Sequence, residues 1–156
     1  MDKVRKRGFE IVIDKHRVHK DVEIQLPRRA TNRSSGYDIF SPIEVSILPN
    51  ESIVIPSDIK AYMLDDEELL IFPRSSLGLK KGLVIKNTIG KIDSDYYSCE
   101  ENDGNIKISI WNTSNSVQTI KKGDRICQCS FYNYLITDDD NPISDTRSGG
   151  VGSSGS

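Results

Sequence analysis

Hydrophobic positions in this chain recur in short runs with a period of two. Ile106, Ile108 and Ile110 alternate with Lys107, Ser109 and Trp111, the spacing of a strand with one face in a core and one face out. Similar runs predict strands at Phe9–Ile13, Glu44–Leu48, Ser52–Ile55, Leu69–Phe72 and Arg125–Tyr132. In the last of these, Ile126, Gln128 and Ser130 fall on one face and Cys127, Cys129 and Phe131 on the other. Turn formers separate the runs: Pro49-Asn50, Pro56-Ser57, Asn102-Asp103-Gly104 and Lys122-Gly123-Asp124. No window of a dozen residues keeps a helical period, and a single helical turn after Arg74 is the most the pattern predicts. Many short strands at this spacing point to an all-β sandwich, jelly roll or barrel.

A chain of 156 residues suggests one domain with a sizeable core. The β pattern ends at Asp138-Asp139-Asp140, and residues 141–156 carry almost no large apolar side chain. The chain therefore divides into a β domain over 1–140 and a glycine-rich tail over 141–156. On composition alone, that tail is a flexible segment or a linker. Two acidic stretches, Asp65-Asp66-Glu67-Glu68 and Glu100-Glu101-Asn102-Asp103, read as a solvated turn and a loop.

The formal net charge of −2 supplies no bulk attraction for nucleic acid or anionic membranes. Any phosphate must be held by a local cluster. No apolar run is long enough to span a bilayer, and the charged start lacks the apolar region of a signal peptide. Three cysteines, two of them spaced as Cys127-x-Cys129, make a poor disulfide framework and point to a reducing cytoplasm. The only histidines, His16 and His19, lie far from them in sequence, so strand thiols are favoured over a zinc site.

Four segments can carry chemistry. Pro73-Arg74-Ser75-Ser76-Leu77-Gly78 follows an apolar strand and joins a guanidinium, two hydroxyls and free backbone N–H groups, a phosphate cradle. Asn87 to Tyr96 includes Asp93 and Asp95, which on a strand point to one side. One of them is a candidate general base for water; the alternative is that both cap a turn. Lys122 to Gln128 turns into a strand whose Gln128 is either structural or a phosphate ligand. Ser35-Gly36-Tyr37-Asp38 is uninformative alone.

Taken together and in order, these segments resemble the motifs of the dUTPase (deoxyuridine triphosphate pyrophosphatase) family. Ser35–Ile39, Pro73–Gly78, Gly90–Tyr96, Lys122–Gln128 and Arg147–Gly155 match its five motifs. The opening Arg7-Gly8-Phe9-Glu10 and the loop 97–104 are similar to its Gram-positive bacterial and phage branch. The resemblance implies a jelly-roll subunit in a homotrimer whose C-terminal arm closes a site on a neighbour. It implies hydrolysis of dUTP to dUMP and pyrophosphate, which keeps uracil out of DNA and supplies dUMP for thymidylate synthesis.

Residue by residue, it implies that Asp93 is the base that activates water. Asn87 and the Ile89–Tyr96 hairpin, Ile92 included, read uracil, and Tyr96 packs on the deoxyribose and excludes a 2′-hydroxyl. Arg74, Ser75, Ser76, Gly78, Gln128 and Arg147 hold phosphates, with Ser153 and Ser154 nearby in the arm. Asp38 holds, through water, a Mg2+ bound mainly by the triphosphate. The position of the family's stacking phenylalanine is Val151 here, so either the lid closes less tightly on the base or another ring, Tyr97 or one brought close by the loop 97–104, supplies the stack. Neither nucleic acid nor membrane is an implied partner. A phage-borne copy would add a regulatory protein as partner, and a trimer acting only as a binding protein is one rival reading. The other is a dCTP deaminase, which needs a glutamate near the base; the nearest, Glu100 and Glu101, fall in the loop.

Overall fold

The segments with a period of two form strands in the computed structural model, which describes residues 2–147 together with Gly149 and Gly150. In chain order these are β1 (Gly8–Ile11), β2 (Arg28–Arg29), β3 (Tyr37–Phe40), β4 (Val45–Ile47), β5 (Ser52–Pro56) and β6 (Ile59–Tyr62). Then come β7 (Glu67–Phe72), α1 (Ser75–Lys81), β8 (Leu83–Ile85), β9 (Gly90–Asp93), β10 (Lys107–Asn112), β11 (Gln118–Ile120) and β12 (Arg125–Asn133). The predicted helical turn after Arg74 is α1, which Gly82 ends in the left-handed region at φ 66°.

The pairings are nested. Strand β3 pairs with β12, β4 with β11 and β5 with β10, all antiparallel. A chain doubled back on itself and then rolled gives this concentric pattern, the topology of a jelly roll. The largest sheet has the order β2-β3-β12-β7-β9, and a second has β5-β10-β8. Between them lies an isoleucine-rich core: Ile39, Ile55, Ile59, Leu69, Ile106, Ile120, Cys127 and Cys129 are fully buried. Branched side chains suit this setting because their restricted rotamers fit the pleated surface.

Two sequence readings need correction. Ile126 and Cys127 were expected on opposite faces, yet both are buried. A register shift between Arg125 and Cys127 explains it, since a bulge resets the alternation of faces. Glu67 and Glu68 belong to β7 rather than to a solvated turn; Glu67 is buried and takes a two-pronged bond from Arg7. The loop 97–104 is a loop as expected, and it is firmly held. Its Asp103 is buried, accepts Lys60 Nζ at 2.8 Å and caps the Ile13 N–H at 2.9 Å. Tyr97 adds a bond to Glu10 at 2.8 Å. The loop is thereby fixed to β1 and β6.

Candidate active site

Strand β9 begins at Gly90 because it must lie close to β7: a Cβ there would stand 3.0 Å from that of Ile71. It ends at Asp93, opposite Glu68, and a 3-10 turn over Ser94–Tyr96 follows. The turn, not a common strand face, brings the two carboxylates together. Arg147 binds both, with Nη2 on Asp93 Oδ2 and Nε on Asp95 Oδ1 at 2.7 Å. Partial burial pulls against the charge of Arg147, but the bond to Asp95 and the two carboxylates outweigh it, and its pKa is raised.

Tyr96 is buried at the base of this turn. Its hydroxyl donates to the Asn105 carbonyl at 2.7 Å and accepts from Asn102 Nδ2 at 2.9 Å. Burial raises the phenol's pKa, so it is a neutral donor at physiological pH. A cavity of about 360 Å³ opens beside it, lined by Asn87, Ile92, Asp93, Tyr96 and Arg147. A second, of about 390 Å³, lies on the other side of Asp93 and Arg147, against Asp65, Glu68 and Asp95. Asp93 thus borders both spaces.

Apart from Arg147, the described phosphate-binding candidates lie elsewhere, on the same sheet and at the start of α1. Arg74, extended at the end of β7, opens α1 with the exposed Ser75 and Ser76, while Gly78 donates its N–H to the Arg74 carbonyl at 3.2 Å. Gln128 pairs with Asp38 of β3 and with Phe72 of β7, and its Nε2 donates to the Pro73 carbonyl at 3.2 Å. Gly36 leaves room for it, since a Cβ there would fall 2.6 Å from Gln128 Oε1.

Asp38 is buried between two guanidiniums, Arg74 at 3.5 Å and Arg125 at 3.6 Å. Among the described residues, no three His, Cys, Asp or Glu side chains cluster as a metal-ion site. Along β7, the row of Gln128 is that of Phe72 and the row of Asp93 is that of Glu68. Four residues and two strand spacings separate them by roughly 16 Å. Within one chain the candidate base therefore lies apart from Gln128 and its neighbours, while Arg147 sits directly on it.

Sequence reasoning missed Glu101, Asn102 and Lys107, which complete the 360 Å³ cavity with Gly150. The signal was present in the Asn-Asp-Gly turn so close after Tyr96. Val151, Ser153 and Ser154 lie outside the described residues.

Against known proteins, the dUTPase family profile matches residues 22–156. The deoxyuridine 5′-triphosphate nucleotidohydrolase of Lactococcus lactis is 41% identical over 150 residues, covering 96% of this chain and 97% of the relative. That of Legionella pneumophila strain Paris is 39% identical over 85% of this chain and 88% of its own. The crystal structure of the Streptococcus mutans dUTPase superposes with a TM-score of 0.74 at 34% identity, covering 84% of this chain and 98% of that one. The dUTPase of Staphylococcus aureus phage phi11, at 21% identity and a TM-score of 0.70 over 90% of this chain and 97% of its own, shares the fold. The chain belongs to the dUTPase family and is a dUTP diphosphatase.

Proposed function

We propose that Asp93 is the general base of this dUTP diphosphatase. Its carboxylate takes a proton from a water whose oxygen attacks the α-phosphorus. The bond to the bridging oxygen of the β-phosphate breaks, and pyrophosphate leaves with dUMP behind. The observation that carries this reading is the position of Asp93, bordering both cavities next to the buried Tyr96 and in the grasp of Arg147. Asn87 and the Ile89–Tyr96 segment, with Ile92, take the uracil edge; cytosine offers the opposite donor and acceptor pattern and leaves buried groups unpaired. Tyr96 takes the face of the deoxyribose. Arg74, Ser75, Ser76, Gly78, Gln128 and Arg147 take the phosphates, with Ser153 and Ser154 from the arm; Val151 occupies the sequence position of the family's stacking phenylalanine.

A variant of the phage phi11 enzyme coordinates a structural Mg(II) ion. Here a lone carboxylate between two arginines does not fit a protein-built cage for such an ion. It fits an ion carried in by the triphosphate, with Asp38 reaching it through water; the ion would neutralise phosphate charge. The chain's own part is to orient the triphosphate and to hold the proton on Asp93.

The site is completed by other copies of the chain in a homotrimer. The separation of roughly 16 Å between Gln128 and Asp93 supports this, because one chain does not bring the phosphate candidates around Gln128 into the space beside the base. So do apolar side chains left exposed on the single chain: Val54 and Trp111 on β5 and β10, and Leu135 and Ile136 beyond β12. The segment 141–156 is the arm that closes the site. All three cysteines are free and buried, which suits a reducing cytoplasm.

A pyrophosphate-release assay with Mg2+ tests the reading on dUTP, dTTP, dCTP and UTP. Turnover confined to dUTP is expected. Ammonia release from dCTP would favour the deaminase reading, for which Glu101, now found at the cavity, would be the shuttle.

A further inference from the structure

We propose that Asn102, in the loop 97–104, is a positioning residue for sugar selection, acting through Tyr96. The inference rests on the reading of Tyr96 as the side chain that excludes a 2′-hydroxyl. A ring discriminates against one oxygen only if it cannot tilt away, so what holds the phenol matters as much as the phenol itself.

Two bonds hold it. The hydroxyl hydrogen is committed to the Asn105 carbonyl at 2.7 Å, and the oxygen accepts from Asn102 Nδ2 at 2.9 Å. The amide of Asn102 has only one orientation open to it. Its Oδ1 accepts from the Gly104 N–H at 3.0 Å and from Cys99 Sγ at 3.1 Å. The Gly104 N–H cannot accept, so Nδ2 must face Tyr96.

The loop behind the amide is itself fixed. Asp103 N–H donates to the Cys99 carbonyl at 2.9 Å, and Cys99 N–H donates to the Tyr96 carbonyl at 3.2 Å. Gly104 stands at φ 82° with a Cβ position 2.6 Å from the Tyr96 carbonyl oxygen, a close approach that only glycine permits. The buried Asp103–Lys60 pair anchors the whole loop. A rigid support of this kind, next to a cavity-lining ring, has the form of a residue that sets a neighbour's position.

The test compares kcat/KM for dUTP and UTP in wild type, Tyr96→Ala, Asn102→Asp and Asn102→Ala, with thermal unfolding of each. Asn102→Asp keeps an oxygen for Gly104 and Cys99 but removes the donor to the phenol. It is expected to lower the dUTP preference roughly three- to tenfold, the worth of one neutral hydrogen bond, while KM for dUTP changes less than the UTP rate. Asn102→Ala is expected to lower the preference at least as far.

In a Tyr96→Phe background, Asn102→Asp should have no further effect on the ratio, since no hydroxyl is left to hold. An unchanged ratio in Asn102→Asp, with Tyr96→Ala reduced, overturns the positioning role. An equal change with and without the phenol also overturns it and assigns Asn102 to loop stability. An unchanged ratio in Tyr96→Ala overturns the reading of Tyr96 itself, and the inference with it.

Discussion

Arg147 joins two proposed roles, ion-pair partner of the base and phosphate ligand. Its guanidinium lies across Asp93 and Asp95, the one proposed as base and the other beside it. A triphosphate brings more negative charge than either carboxylate and a matching geometry for the guanidinium fork. Binding would then draw Arg147 from Asp93 and leave that carboxylate free to take a proton. Removing the base separates these roles. Asp93→Asn should bind dUTP and keep its thermal midpoint, yet lose roughly 10²- to 10⁴-fold in kcat, the usual contribution of general-base catalysis. Single-turnover kinetics beside equilibrium binding checks this, and a near-normal kcat would reject Asp93 as the base. Arg147→Ala should instead lower kcat/KM roughly 10- to 100-fold, as expected for lost charge-assisted bonds. Equal kcat/KM in wild type and variant would remove Arg147 from the phosphate set.

At the scale of elements, the strands were legible because one face of each is buried: Ile106, Ile108 and Ile110 are all core residues. Other features were not legible, for physical reasons. The two-residue β2 and three-residue β8 and β11 are too short to show a period. The bulge before Cys127 depends on a partner strand far away in sequence. The loop 97–104 could be read as a loop, but not its anchoring, because Asp103 is held by Lys60 and the Ile13 N–H, partners far away in sequence that composition cannot reveal. At the site, Asp93 and Tyr96 could be read from their motif. Asn102 showed only as part of the Asn-Asp-Gly turn and Glu101 only as a loop glutamate, signals that place a turn but not a cavity.

The anchoring of that loop can be tested directly. Asp103→Ala leaves Lys60, whose side chain is only 6% exposed, without its nearest partner. Breaking a buried pair from one side costs about 3–5 kcal/mol, whereas replacing both members with apolar residues costs less. In chemical denaturation, Asp103→Leu with Lys60→Met should therefore lie closer to wild type than Asp103→Ala does. Equal losses would show that the pair does not anchor the loop. Acid should act on the same contact. Burial pushes the Asp103 carboxyl up, but the Ile13 N–H and Lys60 more than offset it, so the pKa lies below its ordinary 3.8. The pair's contribution is complete above that value and is lost as pH falls through the lowered pKa. Wild type should lose stability in that window, and Asp103→Asn should lose less.

At the scale of the whole molecule, the single chain leaves unfinished surfaces as well as an unfinished site. Trp111 and Val54 are 40% and 54% exposed. Trp111 pairs with Ser52 and Val84, and Val54 with Ser109, so the two apolar side chains share the outward face of the β5-β10-β8 sheet. The tail contrasts with this face: between residue 141 and the last described glycine, its only large apolar side chain is the exposed Ile143. Two changes should therefore have opposite signatures. Trp111→Glu places a charge where the proposed trimer must be dry, and losing a buried tryptophan anchor typically costs at least about 2 kcal/mol, or about 30-fold in the dissociation constant. Mass by light scattering should fall with dilution, and dUTP turnover per chain should fall with it, if the base and the phosphate ligands around Gln128 come from different copies as proposed. Deleting residues 145–156 removes little apolar surface, so the trimer should persist while turnover is largely lost. Full turnover by dissociated Trp111→Glu chains would show that one chain holds a complete site. Full turnover by the truncated trimer would show that the tail is only a linker.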